Sequence, residues 1–291
     1  MYALYRPAAH LQHVIACYWL VDTVLPASQP LQETIFVDGR ADVIFNYGAA
    51  YKRVMVATDK QVDVSTTSID GQRNYPVKIH QIGHVKLVGV RFQVGGLAAV
   101  SRLPALELSN QQVDVHTLWG DDAEVLEARL FNAFGNPQAQ RKLLNDFFTA
   151  RYQPQHPGWL TALSNNVSHT NLDAVARDLG LSRRTLNRRM NAQVGFSAKF
   201  YARVLRFHTA LNLLRTPISL AEVALEAGFY DQAHLNHDVL QLSGQSPGAF
   251  RDLLHKRIQA RDAARAAPNP VLPNPVAPNL VPFLQDGNAA H

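Results

Sequence analysis

Arg184, Thr185, Asn187, Arg188 and Asn191 lie within eight residues of one another. Arginine and asparagine can each make paired hydrogen bonds to a base edge, arginine to guanine and asparagine to adenine. On a helix turning by about 100° per residue with Leu186 facing inward, Arg184 falls at about 160°, Asn191 at about 140° and Arg188 at about 200°. All three therefore point away from the core, with Thr185 and Asn187 beside them. Forty-nine residues further on, Ala233, His237 and Leu240 occupy the equivalent positions, flanked by Asn236 and Gln241. Of these only His237 can gain a positive charge. The candidate DNA-contacting set is therefore Arg184, Thr185, Asn187, Arg188, Asn191, Asn236, His237 and Gln241. The competing reading is a pair of amphipathic helices, the first with a solvated basic face.

The elements that would position these residues are legible around them. Leu172, Val175, Ala176 and Leu179 follow i, i+3, i+4, i+7 spacing, and Gly180 stands where a helix of about two turns should stop. Ser182 is an N-cap for the next helix, whose inward positions are Leu186, Met190 and Gln193 and whose stop is Gly195. The layout is that of a helix-turn-helix, whose second helix enters a major groove. It then recurs. Ser219 and Glu222 make a capping box before Leu220, Val223, Ala224 and Ala227, Gly228 closes that helix, and Asp231 caps another with Leu235, Val239 and Leu242 inward. Between the two units, Ser197 to Leu214 reads as one helix with Phe200, Val204, His208 and Leu211 on a single face, a rigid spacer ended by Pro217.

Two such units joined by one long helix and followed by GQSPGAFR resemble the DNA-binding domain of the AraC family of bacterial transcription regulators, over about residues 155 to 262. Ser182, Arg184, Leu186, Arg188 and Gly195 carry the first-unit pattern. Ala227, Gly228, Phe229, Asp231, Gln232, His234, Leu235, Gly244, Ser246, Pro247 and Arg251 carry the second. The chain departs from the family at His237, where a basic residue is usual, and at Val239, where an aromatic one is. The resemblance implies double-stranded DNA and RNA polymerase as partners.

The 291 residues suggest about two domains, and 47% hydrophobic composition suffices for ordinary cores. Residues 1 to 170 hold 14 Lys and Arg against 14 Asp and Glu, whereas residues 171 to 262 hold 13 against 8. The net charge of +5 thus resides in the candidate DNA-binding half. Ser182 to Arg215 has eight basic residues and no acid, while Thr216 to Phe250 has four acids and no Lys or Arg. Phosphate neutralisation dominates DNA affinity, so the first unit and the spacer should supply most of it. The single cysteine, Cys17, excludes an intramolecular disulfide and fits a reducing cytoplasm. The apolar run from His13 to Val21 is too short to span a bilayer, so neither membrane insertion nor export is expected.

In the amino-terminal half, β-rich runs at Glu33 to Val37, Asp42 to Asn46, Arg53 to Ala57, Val77 to Ile82 and Lys86 to Phe92 are punctuated by Asp38-Gly39 and Asp70-Gly71. Helical patterns follow at Gly96 to Arg102, Ala123 to Phe134 and Gln138 to Thr149. The expected fold is α+β: a small antiparallel barrel or sandwich with helices, then an all-α domain of two helix-turn-helix units. Trp19, IFVDGRADVIFN and GVRF also resemble the cupin-like sensor domains found before the DNA-binding domain in some AraC family members, which implies an effector of unnamed chemistry. His10 with His13, His80 with His84 and His234 with His237 are spaced for shared metal ligation, but the His-x-His and downstream Glu of metal-binding cupins are absent, and no metal or other cofactor is expected.

The expected divisions are residues 1–150 for sensing or dimerisation, 151–158 as a linker, 159–262 for DNA binding and 263–291 as a proline-rich disordered tail. A cytoplasmic transcription regulator is the reading, with DNA, RNA polymerase, a small-molecule effector and a second copy of the chain as partners. Two alternatives stand beside it: an adaptor that has lost DNA binding, and a repair-like enzyme using Cys17.

Overall fold

In the computed structural model, residues 2–153 and 172–266 are described. The amino-terminal part is built on two antiparallel sheets. Strands β1 (Tyr2–Tyr5), β2 (Ile15–Leu25), β9 (Gly83–Phe92), β4 (Asp42–Asn46), β7 (Ser68–Asp70) and β10 (Gln112–Asp114) form the larger sheet, in that order. Strands β3 (Leu31–Ile35), β8 (Val77–Gln81), β5 (Tyr51–Met55) and β6 (Gln61–Val64) form the smaller. The central pair, β2 and β9, is the longest, and its β-branched and aromatic residues suit a pleated surface buried on both faces.

Alternation divides those faces. Tyr18, Leu20, Val43, Phe45, Ile69, Val88, Val90 and Phe92 share a buried cluster with the helices. These are α1 (Ala98–Ser101), α2 (Ala105–Leu108), α3 (Val115–Trp119), α4 (Asp121–Asn132) and α5 (Pro137–Arg151). Helix α5 starts at Pro137 behind Asn136, whose side chain accepts from the Ala139 N–H, a capped start with proline in the first turn. Phe148 on α5 meets Phe92 edge-on at 5.6 Å, which ties the helical pair to the sheet. On the opposite face Trp19 covers Gly89, where a Cβ would lie 1.8 Å from the indole.

Several short strands carry no signal in the sequence reading, and β2 appears there only as an apolar run. The helical expectations at 96–102, 123–134 and 138–149 correspond to α1, α4 and α5. Arg151, the first residue of the expected linker, ends α5. Tyr152 then meets His13, and the Gln153 N–H donates to the Ala99 carbonyl. The remainder of the 151–158 linker lies outside the described residues.

The carboxy-terminal part is helical: α6 (Leu172–Asp178), α7 (Arg183–Gln193), α8 (Ala198–Leu213), α9 (Leu220–Glu226), α10 (Gln232–Ser243) and α11 (Pro247–Ala266). Two buried clusters divide it. Val175, Ala176, Leu186 and Met190 pack on the first half of α8, through Ala198, Tyr201 and Ala202. Val223, Ala224, Leu235, Val239 and Leu242 pack on the second half, through Val204, Phe207, Ala210 and Leu211. The protein is therefore α+β, and its long helix is the common beam of two small helical units. Of the expected tail, residues up to Ala266 belong to α11 and the rest lie outside the described residues. Among the described residues no helix is long and apolar enough to cross a membrane.

Candidate nucleic-acid interface

Local chemistry builds each unit in the same way. The Ser182 side chain accepts from the Thr185 N–H at the start of α7, and Asp231 accepts from the His234 N–H at the start of α10. Before each cap the chain leaves the preceding helix through a left-handed glycine, Gly180 (φ 64°) or Gly228 (φ 81°). The closing bonds match: Leu181 N–H to the Ala176 carbonyl and Phe229 N–H to the Ala224 carbonyl, both 2.8 Å. The glycines are 48 residues apart and the caps 49, so the second turn is one residue longer. That turn displays Tyr230, which is 93% exposed.

On α7, Arg184, Arg188 and Arg189 are exposed and pair with no carboxylate among the described residues. Arg183 differs in lying 3.3 Å from Asp173 on α6. Thr185 and Asn191 are half-buried, and the Thr185 hydroxyl lies 2.9 Å from Ser182 Oγ. Asn187 turns its amide oxygen to the Ala198 N–H, 3.1 Å away, at the start of α8. This oxygen therefore caps the spacer helix. The angular reading of the sequence placed Asn187 on the flank of the reading face and could not see that bond.

On α10, Ala233, Asn236, His237, Leu240 and Gln241 are exposed. Gln241 accepts a 2.5 Å hydrogen bond from Arg203 Nη2 on α8, and Arg203 Nε lies 2.8 Å from the buried Asp238 carboxylate. His234 Nε2 sits 3.6 Å from the other oxygen of Asp238. One arginine of the basic run thus neutralises an acid of the acidic run, at the seam between spacer and second unit. Asp238 was missed because its neighbours Leu235, Val239 and Leu242 read as a plain apolar face. Arg251, part of the sequence pattern, donates to the Ile218 carbonyl at 2.8 Å and so fastens α11 to the approach of α9.

The amino-terminal domain meets the far ends of both α7 and α10. Ser109 Oγ donates to the Gly195 carbonyl just past α7. Val37 N–H donates to the Leu242 carbonyl in the last turn of α10. Arg184, Arg188, Asn236 and His237 remain exposed with these contacts made.

A second polar constellation lies inside the amino-terminal domain. Cys17, Arg91, Asp42, Asp70 and Gln112 are register partners in one row across five strands of the larger sheet. Arg91 pairs with Asp42 at 2.9 Å and with Asp38, while Arg53 of the smaller sheet makes a forked pair with Asp70, which also binds Arg73. Burial pushes the Asp42 carboxyl up to about 7, with the neighbouring Asp70 charge adding to the shift. Burial likewise pushes Arg91 down to about 10 and the Cys17 thiol up to about 11. Strand alternation gives the face a residue occupies but not its lateral neighbours, so this row was invisible in the sequence. Four of the six histidines singled out for metal spacing have other partners: His10 with Thr149, His13 with Tyr152, His84 with Asp22 and His234 with Asp238.

Residues 175–252 match the family described as a helix-turn-helix domain, and residues 3–114 match a domain of unknown function, DUF6597. The HTH-type transcriptional regulator MtrA of Neisseria gonorrhoeae is 35% identical over 82 residues, 28% of this chain and 27% of that protein. The HTH-type transcriptional activator RhaR of Salmonella dublin is 29% identical over 96 residues, 32% of this chain and 34% of its own. The activator RhaS of Escherichia coli is 39% identical over 71 residues, 24% and 26% respectively. The chain spans about a quarter to a third of the length of these curated relatives. With one long helix joining two capped helix pairs and with the match over residues 175–252, this part of the chain is a double helix-turn-helix domain.

Proposed function

We propose that the protein is a bacterial transcription regulator that lays α7 and α10 into successive major grooves, and that its amino-terminal domain binds a small effector and alters how the two helices meet DNA. The observation that carries this reading is the open arginine face of α7: Arg184, Arg188 and Arg189 stand exposed while the amino-terminal domain is packed at the end of the same helix. Arg184 and Arg188 are assigned to base edges, with Thr185 and Asn191 beside them and Asn187 contributing through its amide NH2. Asn236, His237 and Gln241 are assigned to neutral contacts by the second helix, and Leu240 to thymine methyl groups. The second unit, on which Leu225 and Tyr230 are exposed, is assigned to the side that meets RNA polymerase.

The effector seat is assigned to the space between the two sheets. Buried polar atoms there, including Tyr2 Oη, Tyr51 Oη, Arg53 Nε and Gln81 Nε2, have no hydrogen-bond partner among the described residues, and such groups normally find one. The thiol pKa of about 11 argues against a reactive Cys17, because a nucleophilic cysteine needs the opposite shift. The working compartment is assigned to the cytoplasm. The test is titration of the purified protein with its own upstream DNA and with random DNA of equal length. A preference of a hundred-fold or more for the upstream fragment is expected, and equal binding to both would refute sequence-specific reading.

A further inference from the structure

We infer that Phe36 and Val37, which belong to the amino-terminal domain, are positioning residues for the second reading helix. The inference rests on the proposal that α10 reads DNA. Phe36 follows β3 directly and is 4% exposed, yet its neighbours belong to the other domain. Its ring stands edge-on to Phe207 of α8 at 5.9 Å and to Phe250 of α11 at 5.7 Å. It shares one cluster with Val204, Val239 and Leu242. The core of the second unit is therefore completed by a side chain from outside it.

The backbone of the next residue makes two further ties. Val37 N–H donates to the Leu242 carbonyl at 2.9 Å, and the Val37 carbonyl accepts from His208 Nε2 at 3.2 Å. Leu242 lies in the last turn of α10, where carbonyls have no partner within the helix. One residue thus caps the reading helix and holds it to the spacer. The wedge is anchored in turn, because Asp38 pairs with Arg91 of β9 and the Ala41 carbonyl accepts from the Phe92 N–H. Asn236, His237 and Leu240 stay exposed, so the contact fixes where α10 sits without covering its reading face. The amino-terminal domain also holds the Gly195 carbonyl past α7, so both reading helices are held by one body.

Two measurements test this. Spin labels at Ala192→Cys and Ala233→Cys, both at exposed positions, in a Cys17→Ser background report the separation of α7 and α10 in the free protein. One narrow distance is expected for the parent, a broadened or shifted distribution for Phe36→Ala, and recovery of the narrow distance for Phe36→Leu. An unchanged distribution in a folded Phe36→Ala variant overturns the inference.

The second measurement is affinity for DNA carrying both half-sites and for DNA carrying only the first. Phe36→Ala should weaken the two-half-site complex by about ten-fold and the single-half-site complex by less than about two-fold, because only the former depends on the placement of two linked readers. Equal losses on both DNAs, or tighter binding to either, overturn the positioning role. Should the parent bind neither DNA, the reading of α10 as a DNA reader fails, and the label distances still decide whether Phe36 sets its position.

Discussion

Lowering the pH should unlatch the seam between the two domains through His208. Burial against Phe36 and Phe207, with the Arg40 charge nearby, pushes the imidazole down to about 4, although its hydrogen bond to the Val37 carbonyl opposes the shift. The unfolded chain titrates near 6.5. A depressed folded pKa means that the unfolded state takes up the proton first, so the contribution is intact above pH 6.5 and is lost as pH falls toward 4. At 1.36 kcal/mol per tenfold change in proton affinity the loss reaches about 3 kcal/mol, an upper bound because His208 as a residue is only half-buried. Asp42 acts with the opposite sign: its pKa of about 7 lies above its unfolded value, so its contribution is greatest at low pH and is lost as pH rises through 7. Urea unfolding at pH 7.5 and 4.5 of the parent and of His208→Gln, which keeps a donor for Val37, separates the two. The variant should gain about 2 kcal/mol relative to the parent at the lower pH. The same stability difference at both pH values would refute the assignment of a buried, neutral His208 to the seam.

Arg184→Ala and Arg188→Ala should each cost about 1 to 3 kcal/mol on the specific site and relax base preference locally. Equal losses on random DNA would restrict them to phosphate contacts. Arg188→Ala should also lower the slope of log affinity against log salt by about 1, whereas His237→Ala at pH 8 should leave it unchanged. An equal effect of both substitutions would remove the asymmetry between the units. Gly195→Ala should destabilise the protein by 2 kcal/mol or more, on the order expected for a left-handed residue with a clash. Its φ is 78°, and a Cβ would lie 1.9 Å from Gln72 Nε2 and 2.1 Å from Ser109 Oγ. An unshifted melting temperature would show that the contact yields freely.

Helix caps and periodicity carried most of the carboxy-terminal domain, because Ser182, Ser219, Asp231, Gly180 and Gly228 act within a few residues of their own position. The outward direction of Arg184, Arg188, Asn236 and His237 followed from the same local arithmetic. Contacts made by residues far apart in the chain did not follow. Asn187 and Gln241 lie where the sequence put them, but their amide oxygens are taken by Ala198 and Arg203 of a neighbouring helix. IFVDGRADV read as a strand, a turn and a strand, and nothing local marks Phe36 as a core residue of another domain. Strand β2 lacked an alternation signal because both of its faces are buried.

Footprinting the purified protein on its own upstream DNA reports whether α7 and α10 occupy two grooves together. Two protected major-groove stretches are expected on one face of the duplex, about one helical turn apart, with Arg188→Ala requiring more protein to protect them. A single protected stretch that persists in Arg188→Ala, or no protection at protein concentrations that retard random DNA, would contradict the account of α7 and α10 as paired readers.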